Sequence, residues 1–206
     1  TRNTRRVTGV ILCGGAGSRL GGCNKAFLTL GSQSFLERLR DTLAPLVEEI
    51  LLVARDADAF SGFAERTVTD IYTARCALTG IHAGLKQAGT DHCFFVACDA
   101  PLLKPALVSG LVQQATPETD AVVPEYDGYL EPLCAVYSRQ CLPVIERLLD
   151  SRTYQIRKLY SLIRTRKVGK QVLCDLDPNL QSFFNVNTEE DLRKLKLEGR
   201  PQRMDL

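Results

Sequence analysis

The stretch that decides the fold is Leu12-Cys13-Gly14-Gly15-Ala16-Gly17-Ser18-Arg19-Leu20-Gly21-Gly22-Cys23-Asn24-Lys25, which follows the apolar run 7–12. It holds five glycines, two basic residues and no acid. Glycines let a backbone take positive φ and let a ligand approach closely, and successive N–H groups in such a turn form an anion site. A strand followed by this loop predicts a nucleotide phosphate site. Its predicted residues are Leu12, Cys13, Gly14 and Gly15, with Arg19 and Lys25 supplying positive charge.

The spacing excludes two commoner glycine-rich loops. A Walker A loop has Gly-Lys followed by Ser or Thr, whereas Lys25 lies between Asn24 and Ala26. The dinucleotide fingerprint needs a small residue three positions after its second glycine, and Leu20 occupies that position. A surface loop with scattered charges remains the alternative for this stretch taken alone.

Composition limits the class of protein. A chain of 206 residues suits one domain with a sizeable core. A net charge of +2 gives no reason to expect nucleic acid as a partner, and no apolar run is long enough to cross a membrane. The eight cysteines form no Cys-x-x-Cys pair and no metal-ligand pattern with the two histidines. We therefore expect a reduced, cytoplasmic protein.

Alternating strand and helix patterns predict an α/β fold, specifically a single-domain, Rossmann-like three-layer α/β/α sandwich with a mostly parallel sheet. We expect a basic tail over residues 1–6, one domain over 7–198 and a disordered tail over 199–206. Strands are predicted at 7–12, 49–54, 67–69, 92–98, 121–123, 133–137 and 171–174. Helices are predicted at 80–87, 102–115 and 142–149, and after the capping boxes at 34–37 and 188–191.

Two aspartates follow predicted strands. Asp70 ends the strand at 67–69, and Asp99 ends the strand at 92–98. Ligands of open α/β sheets bind outside the carboxyl ends of the strands, so we expect both aspartates beside the glycine loop. A carboxylate there suits Mg²⁺, but aspartate also caps helices and forms turns. The spacing leaves both roles open.

Three strings together resemble a known family: the glycine loop, Asp99-Ala100-Pro101, and Phe183-Phe184-Asn185-Val186-Asn187-Thr188. They are similar to motifs of the nucleotidyltransferases with the nucleotide-diphospho-sugar transferase fold, in particular the molybdenum cofactor guanylyltransferase family. The resemblance covers about residues 7–195. This chain departs from the family pattern in having Cys13 for Ala, Leu20 for Met, Asn24 for Asp, Ala77 for Pro, and Glu131 for His or Gln.

The resemblance implies transfer of GMP from GTP to the terminal phosphate of molybdopterin, with or without molybdenum, and release of pyrophosphate. It implies catalytic roles for Arg19, Lys25 and Asp99, with Mg²⁺ on Asp99. Asp70 and Gly80 would contact the nucleotide, and Asn185, Asn187 and Arg152 the second substrate. It also implies transient contacts with proteins that mature molybdoenzymes. We expect no nucleic acid or membrane partner, because of the low net charge and the short apolar runs.

Three questions stay open from the sequence. The enzyme could instead use CTP on the same pterin, or another nucleotide on another acceptor. From a different class, the chain could be a nucleotide- or cofactor-binding module without turnover. The run 151–170 holds seven basic residues and no acid. It is either a solvated face or a basic rim for a phosphorylated substrate.

Overall fold

The computed structural model describes residues 6–14, 19–20, 23–63 and 65–198, except for the side chains of Arg19 and Glu198. Residues 1–5 and 199–206 lie outside these ranges, so the predicted division into two tails and one domain stays a prediction. The strands are β1 (Val7–Leu12), β2 (Arg19–Leu20), β3 (Cys23–Asn24), β4 (Thr29–Leu30), β5 (Gln33–Ser34), β6 (Glu49–Val53), β7 (Arg66–Val68), β8 (His92–Ala97), β9 (Ala121–Tyr126), β10 (Tyr129–Leu130), β11 (Cys134–Ser138) and β12 (Thr165–Gly169). The helices are α1 (Phe35–Leu43), α2 (Ala77–Gln87), α3 (Pro105–Gln114), α4 (Leu142–Asp150), α5 (Ile156–Tyr160), α6 (Lys170–Leu176) and α7 (Glu189–Glu198).

The central sheet has the strand order β10-β9-β11-β8-β1-β6-β7, and β12 also pairs with β9. Strands β8, β1, β6 and β7 are parallel neighbours, whereas β11 runs antiparallel to both β8 and β9. Leu12 lies opposite both Val53 and Ala97 in the register. The ends of β1, β6 and β8 therefore meet at one edge. The predicted α/β fold with a mostly parallel sheet is confirmed.

Helices cover both faces of the sheet because its strands are apolar on both faces. Ile11 and Phe94 pack with buried leucines of α1, α3 and α6 on one face. Val10 and Phe95, one position away in each strand, pack with α2, α4 and α5 on the other face. Helix α7 closes a third, smaller cluster with α1 through Phe35 and Leu195. None of the described helices combines the length and apolar character needed to cross a bilayer.

Both predicted capping boxes are present. The Glu37 N–H donates to Ser34 Oγ at 3.2 Å, and the Ser34 N–H donates to Glu37 Oε2 at 2.7 Å. At the start of α7, the Asp191 N–H donates to Thr188 Oγ1 at 3.1 Å, and the Thr188 N–H donates to Asp191 Oδ2 at 2.8 Å. Each box satisfies backbone donors that a helix start leaves unpaired.

The strand predicted at 171–174 is wrong, because these residues belong to helix α6. Three adjacent apolar residues, at 172–174, do not distinguish a strand from a helix. In α6, Leu173 is buried, whereas Val172 is 44% exposed. The real strand, β12, lies just before it and buries only Val168, so its sequence gives no apolar alternation. An edge strand of this kind is identified only by its pairing with β9.

Helix α2 lies close to the sheet because Gly84 faces it. A Cβ at this position would lie 2.7 Å from the Phe95 ring and 2.9 Å from a Val10 methyl group. Such distances are below van der Waals contact, and the ring and the methyl group are both fixed in the core.

We expect Gly84→Ala to lower the free energy of unfolding by about 1–3 kcal/mol, because the added methyl group overpacks the core. Gly62→Ala is the matched control, because nothing lies within 4 Å of a Cβ placed there. Urea denaturation of the two variants and the parent protein measures the difference. Equal stability of Gly84→Ala and Gly62→Ala would contradict this account of the packing.

Candidate functional site

A cleft of about 400 Å³ opens at the carboxyl edge of the parallel strands. It lies where β1, β6, β7 and β8 end, at the start of α2 and beside the turn that leads into β11. Segments distant in sequence therefore share one surface. The lining residues are Leu12, Gly14, Val53, Ala54, Arg55, Asp70, Arg75, Cys76, Ala77, Thr79, Gly80, Ala97, Cys98, Asp99, Ala100, Glu131, Pro132, Leu133, Cys134, Ser182, Phe183, Asn185 and Asn187.

Lys25 joins three of the predicted motifs at this edge. Its side chain is only 2% exposed. Its Nζ donates to Asp99 Oδ2 at 3.1 Å and to Asn187 Oδ1 at 2.9 Å. A buried ammonium group is tolerated only when it is paired and hydrogen-bonded. The glycine loop, the end of β8 and the asparagine string are thus held together by one side chain.

Local hydrogen bonds position Lys25, Asp99 and the asparagine string. Lys25 begins a single 3-10 turn over Lys25–Phe27, and Asn24 caps that turn, its Oδ1 accepting the Ala26 N–H at 3.0 Å. The Val186 N–H donates to the Asp99 carbonyl at 2.8 Å, which fixes the asparagine string to the end of β8. Asn24 departs from the family's aspartate, but the cap that it forms here uses only an oxygen, which the amide supplies.

Asp99 keeps part of its carboxylate available to the cleft. The side chain is 20% exposed, and Oδ2 is the oxygen bonded to Lys25. Among the described residues, Oδ1 accepts no hydrogen bond, and no cluster of three or more His, Cys, Asp or Glu side chains forms a metal cage. A single carboxylate beside the predicted phosphate loop fits Mg²⁺, which commonly takes one or two carboxylates together with phosphate and water oxygens.

Asp70 also lines the cleft, as predicted from its position after β7. One of its oxygens, Oδ1, is buried and accepts no hydrogen bond from any residue that the structure describes. Burial raises the pKa of this carboxyl, while the charge of Arg55 and a hydrogen bond from Thr79 act in the opposite direction. An acceptor left unpartnered in a cleft is available to a donor on a ligand.

The predicted phosphate loop is described only in part. Gly15 and the side chain of Arg19 lie outside the described residues, so the structure gives no contact for either. Leu12 and Gly14 line the cleft, whereas Cys13 is buried beside it. The Cys13 N–H donates to the Val53 carbonyl at 2.8 Å, which continues the pairing of β1 with β6 up to the loop.

The start of α2 forms one side of the cleft. Gly80 lines it, and a Cβ at this position would lie 3.1 Å from Leu12 Cδ2. This close approach brings the first turn of α2 against the end of β1. Gly80 therefore has a packing role here, and its contact with a nucleotide stays a prediction.

The predicted second-substrate residues are not all in one place. Asn185 and Asn187 line the cleft. Arg152 does not line it: this residue follows α4, is exposed, and has a φ of 56°. Because β11 is antiparallel, α4 returns to the cleft edge, so Arg152 lies at that edge of the sheet but outside the cleft itself. Its role stays a prediction.

Much of the basic run 151–170 is engaged elsewhere. Lys167 Nζ pairs with Glu125 at 2.7 Å and Lys170 Nζ with Asp127 at 2.8 Å, along β12 and α6. Arg164 forms a bidentate contact with Asp120, donating through Nη2 to Oδ1 at 2.7 Å and through Nε to Oδ2 at 3.1 Å. These pairs support the interpretation of this part of the run as a solvated face.

Sequence reasoning did not assign several cleft residues to the site. Arg55 Nη2 donates to the Ala74 carbonyl at 3.1 Å, and Arg75 in the same loop is exposed and lines the cleft. Phe183 lines it from the turn before the asparagine string. Glu131 was noted only as a departure from the family pattern. No periodicity marks these positions, because they lie in loops whose paths are set by packing.

Hydrogen bonds and charge from Arg164 hold the pKa of Asp120 below its usual range. Stability from this pair is therefore present above the unfolded-state pKa of about 3.9 and is lost as pH falls through the folded-state pKa.

We expect Asp120→Asn to lower the free energy of unfolding at neutral pH, because it removes the ion pair with Arg164. The loss should be only about 1 kcal/mol, since Arg164 is largely exposed. The difference from the parent protein should shrink at acidic pH. Urea midpoints across pH test this, with the exposed Asp175→Asn as control; a difference independent of pH would contradict it.

Known proteins resemble this chain in family, sequence and fold. Residues 9–170 match the family described as the MobA-like NTP transferase domain. A molybdenum cofactor guanylyltransferase of Desulfosudis oleivorans is 42% identical over 188 residues, which are 91% of this chain and 93% of that protein. A protein of Pelotomaculum thermopropionicum named "Probable molybdenum cofactor guanylyltransferase" is 33% identical, covering 93% of each chain. The crystal structure of the molybdopterin-guanine dinucleotide biosynthesis protein A of Archaeoglobus fulgidus superposes with a TM-score of 0.82 at 27% identity, over 93% of this chain and 97% of that one.

Proposed function

Because this chain belongs to the MobA-like NTP transferase family, we propose that it transfers GMP from GTP to the terminal phosphate of molybdopterin or its molybdenum-bearing form. Pyrophosphate is released, and the product is the guanine dinucleotide form of the cofactor. The name of the Desulfosudis oleivorans relative supports the choice of nucleotide and acceptor. The observation that carries the proposal is the contact of Lys25 with Asp99 and Asn187 beside the cleft.

The proposed reaction is a substitution at the α-phosphorus of GTP. An oxygen of the acceptor's terminal phosphate forms the new P–O bond, and the bond to the β-phosphate oxygen breaks. A phosphate monoester is mostly dianionic at neutral pH, because its second pKa is about 6. The step therefore needs no strong general base, and positioning and charge stabilisation account for most of the catalysis.

The residues of the cleft fit these needs. Lys25 bonds to Asp99, and its Nζ uses two of its three donors on described residues; the third is proposed to bind a phosphate oxygen. The Gly14 backbone, together with Gly15 and Arg19, is proposed to hold the triphosphate. Asp99 would hold Mg²⁺, which when bound supplies charge neutralisation at the phosphates. Asp70 and Gly80 are proposed to contact the nucleoside, and Asn185, Asn187 and Arg152 the acceptor.

We also propose a cytoplasmic location. None of the eight cysteines, which all fall within the described ranges, forms a disulfide, and burial raises the pKa of Cys93 and Cys141 to about 12. Such thiols behave as small apolar side chains. Because the product is a cofactor for other enzymes, transient contact with proteins that mature molybdoenzymes belongs to the proposal as well.

The first experiment measures pyrophosphate release with Mg²⁺, each of the four nucleoside triphosphates in turn, and molybdopterin present or omitted. We expect release with GTP alone and only when molybdopterin is present. A preference for CTP would show that the enzyme is a cytidylyltransferase, with the same proposed metal site. GTP binding without release would instead support a nucleotide-binding module.

We expect Lys25→Ala and Asp99→Asn each to lower the turnover number by at least about tenfold, since each removes a charged contact worth roughly 1.5–3 kcal/mol. Lys170→Ala and Asp127→Asn are matched controls, because this exposed pair lies outside the cleft. Thermal unfolding shows whether the variants remain folded. Near-normal turnover in both site variants would contradict the roles given to Lys25 and Asp99.

A further inference from the structure

Glu131 is a partly buried carboxylate in the wall of the cleft, and the described part of the chain gives it no cationic partner. It lies between β10 and β11, and because β11 runs antiparallel to β8, this turn comes to the same edge of the sheet as Asp99. Its Oε1 accepts a hydrogen bond from the Tyr126 hydroxyl at 3.2 Å. Among the described residues, Glu131 forms no ion pair, and no side chain donates to Oε2.

The charged form of Glu131 is destabilised in the protein without a ligand. Burial raises the pKa of Glu131, and only the hydrogen bond from Tyr126 acts in the opposite direction. A desolvated carboxylate without a cation costs free energy unless hydrogen-bond donors complete its shell. Such groups in clefts are often ligand sites. The ligand that completes this site must bring donors, because a phosphate would be repelled.

Glu131 is hydrogen-bonded to one member of an aromatic pair at the cleft. The rings of Tyr126 and Phe183 lie 5.1 Å apart with an interplanar angle of 35°, and Phe183 lines the cleft. The Glu131 N–H also donates to the Pro124 carbonyl at 3.0 Å, which positions the backbone. A carboxylate positioned in this way, in a cleft that also has an aromatic side chain in its lining, suits a planar heterocycle that has N–H donors on its edge.

The two ends of the cleft differ in charge. Arg55 and Arg75 lie with Asp70 at the end formed by β6, β7 and the start of α2, whereas no basic residue that the structure describes lines the β11 end, where Glu131 lies. Strands β8 and β1 lie between β11 and β6, so at about 4.8 Å per strand spacing the two ends are roughly 14 Å apart. Asp99 and Gly14 lie between them. The proposed reaction joins a phosphate of GTP to the phosphate of molybdopterin at this centre. The guanine ring would then lie towards one end of the cleft and the pterin ring towards the other.

We propose that Glu131 binds the 2-amino-4-oxo edge of the pterin ring of molybdopterin, through the ring N–H and the 2-amino group. Two adjacent donors match the two oxygens of a carboxylate, as in other bidentate pairs. Glu131 is then a specificity residue for the second substrate. This inference rests on the proposed function. Guanine has the same donor edge, so the experiment must separate the two ligands.

The test compares Glu131→Gln with the parent protein in steady-state kinetics. An amide keeps one acceptor but turns an NH₂ group towards the second donor of the ligand. We expect KM for molybdopterin to rise about tenfold or more, with KM for GTP and the turnover number within about twofold of the parent values. Glu125→Gln is the matched control, because this neighbouring carboxylate pairs with exposed Lys167 outside the cleft. Unchanged KM for molybdopterin in Glu131→Gln would overturn the proposal.

Inosine triphosphate, which lacks the 2-amino group of guanine, separates the two heterocycles. If Glu131 binds the pterin, the preference for GTP over inosine triphosphate is the same in the variant and the parent protein. Loss of that preference in Glu131→Gln would overturn the proposal in favour of guanine. Tyr126→Phe is a second variant that removes the orienting hydroxyl, and a smaller rise in KM for molybdopterin is expected.

Molybdopterin binding without nucleotide makes this inference testable apart from the proposed function. Protein-bound and free molybdopterin are separated by rapid ultrafiltration and measured by pterin fluorescence after oxidation. Weaker binding by Glu131→Gln than by Glu125→Gln supports the inference even if no nucleotide is turned over. Equal binding by the two variants overturns it, whereas absence of pyrophosphate release in the parent protein contradicts only the proposed function.

Discussion

The buried ammonium group of Lys25 is the contact on which the site depends. It joins residues that are 74 and 162 positions away in the chain, Asp99 and Asn187. Nearly all of its surface is removed from water, so both acceptors are needed to offset its desolvation. Loss of either acceptor would leave a buried charge with fewer partners. The site is therefore complete only when the segment before α7 has docked on the end of β8.

The sheet explains why the contact forms where it does. Parallel strands bring the loop after β1 and Asp99 after β8 to the same edge, and the register places Leu12 beside Ala97. The antiparallel strand β11 brings a different kind of segment to this edge, the turn that precedes a strand rather than a loop that follows one. Glu131 reaches the cleft in this way. The mixed sheet thus gives the cleft a wall that parallel connections alone would not supply.

Charge is distributed unevenly along the cleft. Two arginines and Asp70 lie at the β6 end, Glu131 lies at the β11 end with no ion-pair partner among the described residues, and the Lys25–Asp99 pair lies between them. Elsewhere in the described part of the chain, many charged side chains are paired at the surface, including Lys167 and Lys170 on the basic run. Asp70 Oδ1, which has no hydrogen-bond partner among the described residues, and Glu131, which forms no ion pair there, both lie in the cleft. Under the proposed function, both carboxylates are available to donors on the two substrates.

The sequence by itself determined the strand-loop opening, both capping boxes, the α/β class and the positions of Asp70 and Asp99 at strand ends. Each of these is encoded by residues near one another in the chain, through backbone preference, apolar periodicity and capping. Only the tertiary structure decided that α6 is a helix, that β12 pairs with β9, that Lys25 is bonded to Asp99 and Asn187, and that Glu131 faces the same cleft. These features depend on pairing and burial between segments far apart in the chain. A local sequence pattern does not specify which distant residue will pack against a given side chain and bury it.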